Sequence, residues 1–175
     1  MQRPDATEHA PYFAKYTALV PEDDLLAALA AQLTDPVGFW RGIPESQGDV
    51  CHAPYTWTVK QVIGHLADGE RVFGYRALRF ARGDATPLPG FDENEYAKAV
   101  GYERLSVAAV VDEFETARRA NLALFRNLPE AAWTRAGEAN GHRMSVRALA
   151  AILVGHVRHH DAILRKRLAS VVTSR

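Results

Sequence analysis

The sequence predicts an all-α fold, a four-helix bundle with a long crossover connection. Three observations carry that expectation. Apolar residues recur at three- and four-residue intervals in four separate stretches, runs of alternating β type are absent, and the links between the stretches are long and punctuated by Gly and Pro. A chain of 175 residues, 47% of them apolar, suits one domain over 1–175, large enough to bury roughly 70% of its unfolded surface without a disulfide.

Residues 1–20 carry Pro4, Pro11 and the aromatics Tyr12, Phe13 and Tyr16 without a sustained period, and are expected as an irregular arm lying on the body. From Pro21, acidic residues make a good first turn, and Leu25, Leu26, Leu29, Leu33, Val37 and Trp40 form the stripe of a first helix reaching about Arg41. Pro36 kinks it or ends it early. A polar stretch with Gly42, Pro44, Gly48 and Pro54 leads to Thr58-Val59-Lys60-Gln61, a capping box, so a second helix starts at Val59. Its stripe runs Val62, Leu66, Val72 or Phe73, and Leu78, and it stops at Gly83. Asp84 to Leu105 is too long for a tight turn and reads as the crossover, with one helical turn near Asp92 to Ala97. Ser106 caps a third helix, whose apolar set Val107, Val110, Val111, Phe114, Ala117, Leu122 and Phe125 ends before Pro129. After a short turn at Glu130 to Trp133, Gly137, Asn140 and Gly141 mark a polar loop. Ser145 then caps a fourth helix from Val146 to about Leu168.

Charge narrows the partners. With 21 Lys and Arg against 21 Asp and Glu, the chain lacks the basic footprint that a phosphate backbone demands, so no nucleic acid is expected. No apolar run approaches the roughly 18 residues of a membrane span, so no membrane partner is expected either. Cys51 is the single cysteine, and the start of the chain lacks the order of a signal peptide. The expectation is a soluble cytoplasmic protein. The neutral chain with aromatics in its loops suggests a homodimer.

Chemistry concentrates in histidines. His156 and His160 lie one turn apart on one face of the fourth helix, a spacing that lets two imidazoles bind one metal ion. His65 lies on the second helix among Val62, Ile63 and Leu66. At about 1.5 Å per residue, His65 stands roughly 10 Å from the start of its helix, and His160 and His156 roughly 12 and 18 Å from the end of theirs, so antiparallel packing brings the three level. Paired surface histidines and a hydrogen-bonded core His65 are the plainer readings. His159 competes with His160, which follows the inner stripe better. Val157, Arg158 and His159 fill the spacing, so the built-in Glu base of an H-E-x-x-H metalloprotease is missing.

Trp57-Thr58-Val59, Gly64-His65-Leu66-Ala67-Asp68-Gly69-Glu70-Arg71, the run from Tyr75 to Asp84, Pro87-Leu88-Pro89-Gly90-Phe91-Asp92 and Gly155-His156-Val157-Arg158-His159-His160 together resemble the DinB/YfiT-like family, over about Tyr16 to Arg167. The resemblance implies a four-helix bundle with a long crossover and a divalent-metal site, onto which His65, His156 and His160 map. Members of that family with an assigned activity are mostly thiol-dependent transferases or isomerases that use low-molecular-weight thiols, many have no assigned activity, and the family is often dimeric, so the resemblance leaves the reaction open.

Three imidazoles leave coordination open on Zn²⁺ or Ni²⁺, which marks a catalytic site able to activate water or a thiol toward a small electrophile. A non-catalytic, metal- or ligand-binding stress-response protein is the alternative. Around the histidines, Gly69 either leaves space beside the metal or permits close helix packing. Arg76 either offers a cation to a carboxylate-bearing substrate or thiol, or is a solvated charge. Asp68 and Glu70 either orient an imidazole or face water. Trp57 either walls the pocket mouth or staples the helix to the core. The expected partner is a small molecule.

Overall fold

The computed structural model describes residues 3–84 and 86–172. It is mostly helical, a four-helix bundle, with one small antiparallel hairpin. The arm contains two 3₁₀ turns, Ala6–Glu8 and Pro11–Phe13, and the short helix α1 (Ala14–Thr17). The first bundle position is filled by two helices in series, α2 (Leu25–Ala31) and α3 (Asp35–Arg41). Asp24 accepts from the Ala27 amide and caps α2. Pro36 sits in the first turn of α3, where its missing N–H costs nothing. The single first helix of the sequence reading is therefore two, because Pro36 opens a helix here. A further turn, α4 (Glu45–Gly48), occupies the polar stretch that carried no expected element.

The long helices match their local signals. In α5 (Val59–Ala81), Thr58 and Gln61 form both halves of the capping box, and Gly83 follows with φ 76°. The inner stripe of α5 continues through Phe73, Ala77 and Phe80; Leu78 is exposed. The crossover contains α6 (Glu93–Ala99), capped by Asp92. Ser106 caps α7 (Val107–Arg126), and the Ser145 hydroxyl accepts from Ala148 at the start of α8 (Val146–Val172).

Contacts between α5 and α7 ascend together, Glu70 meeting Arg118 and Gly74 meeting Asn121, so these helices are parallel. That is why a long crossover must join them. Between α5 and α8 the order reverses: Arg167 reaches Trp57 O at the start of α5, and Arg135, ahead of α8, reaches Ala81 O at its end. The antiparallel pairing assumed in the length argument is the observed one.

The expected polar loop is instead a hairpin of β1 (Ala136–Ala139) and β2 (His142–Ser145). Asn140 (φ 52°) and Gly141 (φ 74°) turn it in the left-handed region that an Asn-Gly turn requires. The crossover runs along its edge, Leu88 N donating to Glu138 O and Asn140 N to Leu88 O.

Two apolar clusters fill the bundle, one around Phe73, Phe80, Phe125 and Leu149, the other around Trp40, Ile63, Leu66 and Phe114. Along each long helix the change from one cluster to the other falls at a buried polar residue: Glu70, Arg118 and His156. Arg118, fully buried, forks onto Glu70 at 2.7 and 2.9 Å, donates to Gln32 and reaches Leu29 O and Leu153 O. It thereby ties α2, α5 and α8 to α7. No helix among the described residues is long and apolar enough to cross a membrane.

Candidate metal centre

The polar layer positions three imidazoles. His65 on α5 and His156 and His160 on α8 place one ring nitrogen each within 4.8 Å of one another. The Nε2 atoms of His65 and His156 are 2.8 Å apart, and the three ring centroids are separated by 4.7 to 5.0 Å. His159, one residue earlier on α8, packs its ring on Tyr16 and lies outside this group.

Burial decides the protonation of the group. Desolvation takes His65 down to about 4 and moves His156 and His160 well below the usual imidazole range, the last two further depressed by their histidine neighbours. All three are neutral at pH 7, the form in which an imidazole offers a lone pair to a cation. Three neutral nitrogen donors this close, with no fixed cation between them, fit a divalent transition metal.

Aromatic packing orients the rings. Trp57 lies 4.8 Å from His65, and Tyr16 and Phe73 lie 5.1 and 6.2 Å from His156, both edge-on. Gly69 leaves the room His156 needs. Neither Asp68 nor Glu70 reaches an imidazole: the half-buried Asp68 pairs with Arg71, and Glu70 is buried against Arg118 and Asn121. The two roles weighed for Glu70, imidazole acceptor or solvated charge, both give way to an internal ion pair with a partner 48 positions away.

The histidines face a cavity of about 340 Å³. Trp57, Phe73 and Arg76 wall it from the bundle side, Phe91 and Glu93 from the crossover, Asn140 and His142 from the hairpin, and Tyr12 and Tyr16 from the arm. Arg76 is 4% exposed, so the solvated reading of that charge is wrong; its Nη2 donates to Pro89 O at 2.9 Å. The arm, crossover and hairpin residues were not among the expected site residues. The i,i+4 spacing of Tyr12 and Tyr16 and the Asn-Gly turn are the signals that could have found the arm and the hairpin.

The sequence profile of the DinB superfamily matches residues 22–164. No curated protein gives a significant match. Among solved structures, YfiT from Bacillus subtilis, reported as a probable metal-dependent hydrolase with an unusual four-helix bundle topology, superposes with a TM-score of 0.70 at 20% identity, over 96% of this chain and 94% of that one. A mycothiol-dependent maleylpyruvate isomerase superposes with a TM-score of 0.69 at 15% identity, over 83% of this chain. The match spans 61% of the isomerase. These likenesses are of fold.

Proposed function

The chain belongs to the DinB superfamily, and from that premise we propose that it is a divalent-metal-dependent enzyme that activates a low-molecular-weight thiol or water for transfer to, or hydrolysis of, a small electrophile. The observation that carries the reading is the convergence of three neutral imidazole nitrogens at the wall of an open cavity. His65, His156 and His160 are the proposed ligands, and Zn²⁺ or Ni²⁺ the proposed metal. Bound there, such an ion supplies Lewis acidity that brings a thiol or water toward deprotonation near neutral pH.

The chain's own residues do the rest. The rings of Trp57, Tyr16 and Phe73 hold the imidazoles in place and keep bulk water off their flanks. Gly69 prevents crowding of His156. A cavity of about 340 Å³ suits a small molecule. The solved relatives support both nucleophiles, one being a probable metal-dependent hydrolase and the other mycothiol-dependent. We extend the proposal to a single cytoplasmic domain acting as a homodimer, which sedimentation at micromolar protein would check.

The test is metal analysis of wild type, His65→Ala, His156→Ala, His160→Ala and His159→Ala, with turnover assayed on electrophiles with and without added thiols. Loss of metal in the first three variants and retention in His159→Ala is the expected result. Full metal in His65→Ala and His156→Ala would sink the ligand assignment. Stoichiometric metal with no turnover would leave a non-catalytic binding protein.

A further inference from the structure

Two arginines on the inner faces of the bundle are treated differently by the fold. Arg118 has Glu70 against it. Arg76, 4% exposed, has a single hydrogen bond among the described residues, from Nη2 to Pro89 O, and lies over the Phe73 ring at 5.6 Å. A guanidinium carries five N–H donors, so most of its capacity is unused. Burial alone acts on its ionisation, and it moves downward with no carboxylate to oppose the move. A buried cation is unfavourable until something negative meets it. The cavity that Arg76 lines with the three histidines is where that partner can enter.

The other charge on the wall sharpens the picture. Glu93 lines the same cavity, its field falls on Tyr16, and it makes no ion pair with Arg76. The imidazoles contribute no negative charge of their own, so nothing in that donor set competes for the guanidinium.

We infer that Arg76 is an anion subsite: the ligand of this cavity carries a carboxylate that takes the unused N–H donors of Arg76, while its other end lies at the three histidines. A carboxylate suits the position because its two oxygens match one edge of a guanidinium, and part of the fork is already committed to Pro89. The inference rests on the metal-site reading only for what lies at the other end.

The probes are ω-mercaptocarboxylates of increasing chain length and the ω-mercaptoalcohols that match them. Binding to cobalt-loaded protein is followed by sulfur-to-cobalt charge-transfer absorption. At the best length the carboxylate should bind about ten- to hundredfold tighter than its alcohol. In Arg76→Gln, with cobalt content retained, the ratio should fall to about one. Arg76→Lys, which keeps the charge but loses the fork, should give an intermediate ratio and serves if Arg76→Gln does not fold. Equal affinities in wild type, or a ratio unchanged in the variants, would overturn the inference. In metal-free protein, alkyl carboxylates should still shift the Arg76 Nε–H resonance. If cobalt or thiols fail to bind, the metal reading falls, and that resonance alone decides the subsite: a shift upholds it, no shift overturns it.

Discussion

Gly69 on α5 and His156 on α8 are in direct contact: a Cβ on Gly69 would stand 3.1 Å from both Nδ1 and Cε1 of the imidazole. The ring has nowhere to retreat, since Tyr16 and Phe73 pack on it. One missing methyl group thus allows the two helices to bring His65 and His156 together.

Gly69→Ala tests this. Helix propensity alone favours Ala by about 1 kcal/mol. We expect no gain in thermal stability and about a tenfold weaker hold on metal, with Gly69→Val worse on both counts. Melting curves and metal competition titrations measure the two effects separately. A higher melting temperature with metal affinity unchanged would refute the contact's importance.

Gly155 packs on the backbone of Tyr16, which cannot yield as a side chain can. Gly155→Ala should therefore cost about 1–3 kcal/mol and undock the arm, taking the Tyr16 ring off His156. Faster amide exchange confined to 6–20, with α5 and α7 protected, is the expected signature. An arm exchanging at the wild-type rate would count against it.

The Arg118–Glu70 pair is internal, with both side chains essentially inaccessible. Arg118→Met leaves Glu70 buried and unpaired, and should destabilise the fold by about 3–5 kcal/mol in urea denaturation. Adding Glu70→Gln should recover much of that loss. If the double variant is no more stable than the single one, uncompensated charge is not the cause.

Acid should release the arm early. Burial works to raise Glu8, but hydrogen bonds from Arg147, the Asp5 backbone and Ser145 outweigh it and hold the carboxyl at about 2, against an ordinary value of 4.5. Because the folded value is depressed, the pairing stabilises the docked arm fully above about pH 4.5, and that contribution is lost as pH falls toward 2. Protection of the amides within 6–20, taken relative to their intrinsic exchange rates, should fall over that window in wild type. Glu8→Gln should exchange faster at pH 7 and lose the acid dependence; an identical pH profile in the variant would reject the assignment.

Elements whose causes are local can be read along the chain. Thr58 with Gln61, Ser106 and Ser145 satisfy amides within three residues of themselves, so the starts of α5, α7 and α8 are legible from neighbours along the chain. The facing of His156 and His160 follows likewise from one helical turn. Strands of four residues are too short to show an alternation, so the hairpin was hidden although its Asn-Gly turn was visible. The fate of the charges depends on packing between distant parts of the chain. Glu70 reads as an imidazole acceptor or a solvated charge because its true partner, Arg118, lies 48 positions away, and Arg76 is buried because the crossover and hairpin close over the end of α5. Backbone hydrogen bonding is settled over a few residues, whereas the burial of a side chain depends on which distant surface packs on it. That is why the histidines could be named from the sequence and the cavity around them could not.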